Sequence, residues 1–501
     1  MILRFRHVFA AAFALLLPCA ATARSVQIPL TPYKLEVEGK IEFLDVERVE
    51  HGSPRQDPEG KIRLRVGSDL SSRLRFQTAM TLMAGGTPRN TRRGGAFNFD
   101  DTLQDISPSF EGEEAYFDLY LPRLDTRIGL QKFAWGKLDG IQPNDLLNPE
   151  KFYEPVLEDE DDRKVGIPAL APTLFLPEIP SELAPTDLRL TAVWAPIVVP
   201  FHFPDQDERW YPPIARVPPE SRVMGPNGQE LTVENDSTIQ NGALPSRGLE
   251  NGAAAVRFAG LFRGADFALY YFDGFDTTPA LDVTARGFVR LNPLNPQGFD
   301  IRSEIDIFPV FQRVRAAGGD LAYNVFGATL RAEGAYVQDR LYPRAIRDIV
   351  ASQGVGEIDP VLLFTGEEQQ VPVTLVPANV RRDGVEWGFG GDYLYGDTFL
   401  LLQVNQTVVL RNEADLLISD YETRFAMTAR QSFWGDRVKA EVIGVYGMQG
   451  VYGLAHPRIT VNLTDWVDVR IGYLLIEGNE GSIVGQYKHN DEGYVRVRLS
   501  F

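Results

Sequence analysis

The chain ends in a strictly alternating segment, residues 494–501, in which apolar and polar side chains change places at every step. The apolar residues fall on one face of a strand and the polar residues on the other: Val495, Val497, Leu499 and Phe501 against Arg496, Arg498 and Ser500. A strand with one apolar and one charged face is typical of a transmembrane β-barrel, because one face meets lipid and the other a watery lumen.

The same alternation recurs in pairs of segments that are joined by short polar turns, which predicts antiparallel hairpins. The pairs are 111–121 with 125–135, 251–262 with 266–273, 312–323 with 328–338, 383–394 with 398–411, 420–433 with 437–448, and 454–463 with 467–476. Residues 34–47 form a first strand, and 61–67 pair with 73–83. A weaker, proline-interrupted pair joins 188–194 to 197–203. We therefore predict an all-β, antiparallel transmembrane barrel of about 16–18 strands, an even number as bacterial barrels require.

Long insertions separate these hairpins, at residues 83–110, 136–186, 204–250, 274–305 and 339–382. Short turns that alternate with long loops predict periplasmic turns at one end of the barrel and extracellular loops at the other. Trp194, Trp434 and Trp466 lie at predicted short turns, which indicates an aromatic belt at the periplasmic interface.

The first 23 residues resemble a secretory signal peptide, with basic residues, an apolar run over 8–17 and an A-x-A site at 21–23. Residues 24–501 then form a single barrel domain in the bacterial outer membrane. Cys19 raises the alternative of a lipoprotein, although Pro18 precedes it where a small residue is expected. The remainder of the chain contains no cysteine, which excludes thiolate chemistry there.

The chain carries a formal net charge of −18, which makes nucleic acid an improbable partner. Its predicted inner wall is nevertheless rich in arginine, and the pore-wall candidates are Arg63, Arg65, Arg73, Arg75, Arg127, Gln131, Arg313, Arg315, Arg331, Arg496 and Arg498. Such a wall facing acidic loop residues would create a transverse field that selects polar or anionic solutes. The alternative is that the charges pair across strands simply to fill a wet interior.

Residues 136–186 are the candidate constriction loop, because they contain the acidic run Glu158–Asp162 followed by Arg163 and Lys164. The candidate constriction residues are Trp135, Asp139, Asp145, Glu158, Asp159, Glu160, Asp161 and Asp162. Folded into the mouth, the acids would repel anions and attract cations; the alternative is a solvated outer loop. The run lacks the spacing of a calcium-binding loop, so we predict no metal site.

An enzymatic reading finds little support in the sequence. Downstream of the leader stand His51, His202, His456 and His489, and none has the spacing of a metal-ligand motif. We expect no catalytic residues and no cofactor, and we predict that the protein is not an enzyme.

The segment from Arg127 to Pro149 carries a resemblance to known proteins. Its strand reads R-x-G-x-Q, followed by W-G and an N-P turn, at Arg127, Gly129, Gln131, Trp135, Gly136, Asp139, Asp145, Asn148 and Pro149. This pattern resembles Gram-negative outer-membrane porin-like barrels, and more distantly the alginate-export-type porins, which have arginine where this chain has Leu130.

The resemblance implies a channel for passive diffusion of small hydrophilic or charged solutes. The alternatives are a structural or adhesive barrel and a polysaccharide exporter. The expected partners are outer-membrane lipid, a small hydrophilic solute, the barrel-assembly machinery through the C-terminal Phe501, and a second copy of the chain in a homo-oligomer.

Overall fold

The computed structural model describes residues 26–30, 33–48, 55–85, 109–152, 155–181, 184–201, 209–225, 228–239, 245–246, 249–295, 297–356, 368–412 and 415–501. The predicted signal peptide lies outside the described residues, as do His51, His202 and most of the insertion at 83–110.

The described part of the chain is almost entirely β-structure. The first thirteen strands are β1 (Val26–Leu30), β2 (Tyr33–Arg48), β3 (Arg55–Ser71), β4 (Leu74–Gly85), β5 (Ser109–Leu121), β6 (Leu124–Gln131), β7 (Ile167–Phe175), β8 (Thr186–Ala195), β9 (Glu220–Met224), β10 (Glu230–Ile239), β11 (Ala253–Phe262), β12 (Ala265–Phe275) and β13 (Ala280–Leu291). The remaining strands are β14 (Phe299–Val310), β15 (Arg313–Val325), β16 (Ala328–Pro343), β17 (Gly354–Val355), β18 (Gln369–Val371), β19 (Val373–Thr374), β20 (Asn379–Tyr395), β21 (Thr398–Val409), β22 (Tyr421–Phe433), β23 (Val438–Gly447), β24 (Tyr452–Asn462), β25 (Val467–Gly478) and β26 (Glu492–Ser500). Two short α-helices are α1 (Glu160–Arg163) and α2 (Ile346–Ala351), and neither described helix is long and apolar enough to cross a membrane.

Eighteen antiparallel strands close into a barrel, which confirms the predicted fold at the upper end of the predicted strand count. They are β2 to β8, β11, β12, β15, β16 and β20 to β26. The first and last strands close it, with Lys40 opposite Ser500 and Arg48 opposite Glu492. The additional strand β1 pairs with the beginning of β2. The alternation that predicted the hairpins thus specifies a single closed sheet without an open edge along these strands.

All six hairpins that the alternation predicted are present. Five of the six turns place residues in the left-handed region, for example Arg263 (φ 50°) followed by Gly264 (φ 82°) between β11 and β12; the β24–β25 turn does not. That geometry matches the twist of two-residue hairpins. We call the end of the barrel that carries these turns the turn end and the opposite end the loop end.

The predicted pairing of 188–194 with 197–203 is wrong. Strand β7 lies on one side of β8 and β11 lies on the other. The sequence Ile167-Pro-Ala-Leu-Ala-Pro-Thr173 concealed β7, because two prolines argue against a strand interior. The predicted loop 136–186 therefore ends at residue 166, and Trp194 lies at the loop end, whereas Trp434 lies in a turn at the turn end.

Three of the predicted insertions are not irregular loops but contribute to a second, five-stranded sheet. Its strand order is β18-β13-β14-β10-β9, and β10 and β14 run parallel to each other. Alternate residues of these strands form a small core together with Val355 of β17: Val223, Leu231, Val233, Val289, Ile301 and Val371. The segment that joins barrel strands β12 and β15 contains β13 and β14 and leaves the barrel at the loop end, so this second sheet lies at that end.

The outer face of the barrel is apolar and exposed. Ile128, Val256 and Phe389 expose 49%, 42% and 50% of their surface, while Leu130, on the same face, is buried. Because isolated exposed apolar residues are common but a continuous apolar surface is not, this face indicates a lipid environment. The inner face carries the charged residues and the packed loop described next.

Candidate functional site

The loop of residues 132–166, between β6 and β7, folds into the barrel. It has two parts that lean on different strands. The first part, residues 136–144, contacts β12, β15, β16 and β21. The second part, residues 157–164, contacts β2, β3, β25 and β26. The loop therefore extends across the lumen from one part of the wall to another.

A single carboxylate on β16 anchors the first part. Glu333 accepts backbone hydrogen bonds from Lys137 at 2.8 Å, Leu138 at 3.2 Å and Asn144 at 2.7 Å. Gly136 precedes this group with φ 119°, and a Cβ there would lie 2.8 Å from Glu333 Oε1. Glycine is therefore required for the backbone to approach the carboxylate so closely.

Polar side chains hold the same part on both sides. Asp139 Oδ2 accepts from Arg331 Nη1 at 3.0 Å, and the Asp139 amide donates to Gln403 Oε1 at 3.1 Å. Lys137 pairs with Asp266. Burial raises the pKa of Asp139 above its ordinary value, and Arg331 opposes that rise.

Apolar packing joins this loop to the inner face of six neighbouring strands, β7, β8, β11, β12, β15 and β16, which we call the apolar wall. Trp135 is buried, with its ring centroid 6.3 Å from that of Tyr270 on β12. The shared cluster comprises Trp135, Leu147, Val165, Ile167, Ala169, Ala171, Val193, Ala195, Val199, Ala255, Tyr270, Phe272, Val314, Ala316, Ala335 and Val337. Since a water-filled lumen would expose these wall residues, the loop covers them, and the loop and the apolar wall form one hydrophobic core.

Asp159 in the acidic run lies among four wall cations. Its carboxylate is 2.8 Å from Arg498, 3.6 Å from Lys40, 3.7 Å from Arg496 and 3.8 Å from Arg470. Burial tends to raise the pKa of Asp159, but these four cations, led by Arg498, hold it well below its ordinary value. The carboxylate is therefore ionised at neutral pH.

Two more acids of the run reach the wall. Glu158 is 3.1 Å from Lys61, and Asp162 is 3.3 Å from Lys40 and also binds Arg63. Glu160 instead lies 3.8 Å from Lys164 within the loop. Asp161 is exposed, and its carbonyl accepts from Lys132. The acidic run is thus folded inward rather than solvated outside the barrel.

Asp145 and Lys164 form an ion pair inside the loop, with Oδ2 and Nζ 2.5 Å apart. Both side chains are largely buried. Burial raises the pKa of Asp145 to about 7, against the opposing effect of Lys164. This carboxyl group therefore titrates in the physiological range.

Most of the predicted pore-wall residues are on the inner face. Arg65 lies near Glu38 and Glu114, Arg75 pairs with Glu36, and Arg127 pairs with Asp118. The others that point inward are Arg63, Gln131, Arg331, Arg496 and Arg498. Arg73 is exposed in the β3–β4 turn, and buried Gln131 donates to the Ala169 carbonyl, which is a structural contact.

Arg313 and Arg315 were predicted to line the pore, and the structure places them on the outer face of β15. Val314 and Ala316 are the buried, inward residues of that strand, whereas Leu321 and Tyr323 are exposed. The arginines share the alternation of the exposed residues. The prediction is wrong because the strand interior is marked here by small apolar residues that pack on the loop, and charge alone suggested the opposite face.

Four residues of the site are not among the predicted pore-wall and constriction residues. Lys40, Lys61 and Arg470 contact the acidic run, and Glu333 anchors the loop backbone. The alternation places each of them on the inner face, but only the structure shows which loop atoms they meet. Across the described residues, no group of three or more histidine, cysteine or acidic side chains could hold a metal ion.

The strands β22, β23, β24 and β25 carry a second set of inward charged residues, and we call this surface the open wall. Its members are Glu422, Arg424, Arg430, Lys439, Glu441, Arg458, Asp468 and Arg470. Apart from Arg470, the loop contacts described above go to other strands. Arg458 pairs with Glu441, and Arg430 lies over the Phe399 ring at 4.9 Å.

No protein-family model matches the chain, and no curated protein matches it. Among solved structures, Acinetobacter baumannii OccAB1 is 10% identical, with 96% of this chain and 99% of that one covered and a TM-score of 0.45. Pseudomonas aeruginosa OccK1 (OpdK) is 11% identical over 94% of this chain and 99% of that one, with a TM-score of 0.43. Salmonella typhi OmpF in complex with daunomycin is 10% identical over 95% of this chain and all of that one, with a TM-score of 0.40.

Proposed function

We propose that the protein is an outer-membrane channel through which small hydrophilic or charged solutes diffuse passively. The barrel surface supports a membrane location, because a closed sheet with an apolar outside satisfies its backbone groups without water. No chemical step is part of the proposal. The observation that carries it is the loop of residues 132–166, which is fixed inside the lumen by the wall and narrows it.

The proposed passage runs between the second part of this loop and the open wall. On the loop side lie the acidic run and the cations that hold it. On the other side lie Arg424, Arg430 and Lys439, with the paired Glu441 and Arg458 beside them on β23 and β24. A solute would therefore pass between surfaces that both carry fixed charges, and pore width and field together would set its selectivity.

The predicted R-x-G-x-Q segment has a positional role in this proposal. Arg127 and Gln131 both form contacts on the inner face of β6, immediately before the loop begins. Such contacts fix the direction in which the chain enters the lumen. The distant likeness to alginate-export-type porins stays a prediction, and so do the signal peptide and the homo-oligomer.

Assembly through Phe501 is likewise a proposal. Phe501 exchanges two backbone hydrogen bonds with Gly39, at 2.7 and 2.9 Å, and its ring occupies the space where a Gly39 side chain would lie. The C-terminal residue therefore takes part in the closing seam between β26 and β2. This position fits a residue that the assembly machinery recognises before the seam closes.

A second candidate is a structural or adhesive barrel, and the second sheet favours it. Three insertions form an ordered body at the loop end, which is the end predicted to face the outside. In that case the lumen would be sealed by the loop. A polysaccharide exporter would instead carry a long polar chain past the open wall.

Single-channel recording in a planar bilayer separates these functions. The purified full-length protein is inserted into the bilayer under a salt gradient. Its folding is checked beforehand by its resistance to unfolding in denaturing detergent without heating. Discrete conductance steps are expected for the channel. A correctly folded barrel that gives no steps in either orientation would refute passive diffusion and favour the adhesive function.

A further inference from the structure

Three arginines form a cluster on the outside of the barrel near its loop end. Arg313 Nε is 2.6 Å from Asp273 Oδ1, and Arg315 Nε is 3.3 Å from Asp273 Oδ2. Arg381 donates to the neutral Gln312 side chain at 3.0 Å. We call Arg313, Arg315, Arg381, Asp273 and Gln312 the outer arginine cluster. It has three guanidinium groups and one carboxylate, so it is positive on a chain that is acidic as a whole.

The cluster is both anchored and accessible. Arg313 Nη1 also donates to the Gly252 carbonyl at 3.3 Å, which fixes the guanidinium group, while the side chain stays 38% exposed. Arg315 is 61% exposed. Guanidinium groups in a fixed arrangement match the geometry of phosphate oxygens, which they can bind through paired hydrogen bonds.

The level of the cluster along the barrel identifies the kind of partner. Tyr323 is exposed at the turn end of β15, and the eight residues from it to Arg315 span about 27 Å along the strand. For a strand tilted by about 40°, this length corresponds to about 20 Å along the membrane normal, and Arg313 lies about 5 Å further along it. The apolar band of a transmembrane barrel is about 25 Å tall, so the two arginines lie close to its edge.

Aromatic residues mark the same boundary. Tyr271 and Tyr336 are exposed on the outer face of the neighbouring strands β12 and β16, each with about 45% of its surface accessible. Asp273 is two residues beyond Tyr271. The nearby carboxylate of Asp383 is already satisfied by the Tyr336 hydroxyl at 2.7 Å and the Asp339 amide at 3.0 Å. Arg313 therefore stands at the edge of the apolar band, and Arg315 lies about 5 Å inside it, from where its long side chain can reach the lipid headgroups. Both arginines lie just beyond the aromatic residues.

We propose that the outer arginine cluster binds the phosphorylated headgroup of a lipid in the membrane leaflet at the loop end. Arg315 and Arg381 supply exposed donors to the phosphate, and Arg313, held by Asp273 and Gly252, positions the group. The acyl chains would lie along the apolar face below, next to Tyr271. This inference rests on the membrane location in the proposed function but not on conduction through the lumen.

Native mass spectrometry of the full-length protein in non-ionic detergent tests this binding. The probes are a diphosphorylated disaccharide lipid, the same lipid without phosphates, and inorganic phosphate. The triple variant R313Q/R315Q/R381Q is compared with R222Q/R286Q/R290Q, which removes three positive charges from the second sheet. The single variant R315Q serves as a second probe that keeps the Arg313 contacts and hence the fold.

The phosphorylated lipid is expected to stay bound, and the phosphate-free lipid to bind about tenfold more weakly, equivalent to about 1.4 kcal/mol. The triple variant should lose a similar factor, R315Q a smaller one, and the second-sheet control none. Equal binding of both lipids, or full binding by a folded triple variant, would overturn the proposal. Competition by millimolar inorganic phosphate without lipid retention would overturn the lipid as the source of the anion. Conductance measured on the same samples tests the channel separately, because the cluster lies outside the lumen.

Discussion

Replacing Asp159 by asparagine removes the loop carboxylate that lies within 4 Å of Lys40, Arg470, Arg496 and Arg498. The four cations would remain, so the charge of this part of the lumen would rise by one unit. The side chain keeps its size, and an amide oxygen can still accept from Arg498. We therefore expect Asp159→Asn to change ion selectivity more than loop position.

The size of the effect follows from the distance to the passing ion. One unit charge at about 10 Å in water contributes about 0.4 kcal/mol, with opposite signs for an anion and a cation. The two effects together raise the anion-to-cation permeability ratio about fourfold at low salt, since about 1.4 kcal/mol is tenfold. At about 0.1 M salt, screening over one Debye length reduces the change to less than about twofold.

Reversal potentials in a potassium chloride gradient measure this ratio, at low and at high salt. The matched control is Asp236→Asn, which removes an exposed acid from β10 of the second sheet. A reversal potential that does not move in Asp159→Asn at low salt, or that moves equally in the control, would refute the inward placement of the acidic run. Neutralising Glu158 to Asp162 together should shift selectivity toward anions further.

Three other perturbations probe how the loop is held. Glu333→Gln sets an amide against three backbone donors, which should cost about 1–3 kcal/mol and appear as a lower unfolding temperature and noisier single-channel currents. Gly136→Ala forces a positive φ and a close contact with Glu333, so a similar loss of about 1–3 kcal/mol is expected, and unchanged thermal stability would contradict the loop geometry. Burial raises the pKa of Asp145 to about 7 in the folded protein, whereas an aspartate in the unfolded chain has a pKa of about 4. Between these two pH values the folded protein binds one more proton than the unfolded chain. Stability should therefore fall as the pH rises through this window, and Asp145→Asn should flatten the fall.

The closed barrel could be predicted because its signal is local and repeated. A period of two residues with short turns survives in a single sequence, and each hairpin pairs segments that are neighbours in the chain. Strand β7 escaped because its prolines resemble a loop, although Pro168 and Pro172 lie on the outer, lipid-facing side of a strand. The second sheet escaped because its pairing joins three distant insertions, and no local pattern reports a partner so far away.

The candidate site was predictable as a set of residues and not as a set of contacts. The acidic run and the inward arginines were both visible, since charge at alternating positions fixes a face. The path of the loop of residues 132–166 decides which of these charges meet. That path depends on anchors such as Glu333, which the sequence shows only as one inward acid among several. Arg313 and Arg315 show the opposite failure, because a charged residue on a lipid-facing strand looks like a lumen residue until its neighbours Val314 and Ala316 are seen to be buried.

The apolar wall limits how this barrel can be altered. Val193, Phe272, Val314 and Val337 point to the inside and are covered by Trp135, Leu147 and Val165 of the loop. Deleting the loop to make a wide pore would expose the apolar wall to water. Such an exposed apolar surface favours aggregation or unwanted detergent binding. The loop is therefore part of the hydrophobic core of the barrel and not a removable plug. A variant without the loop would also need polar residues in place of the apolar ones on this wall.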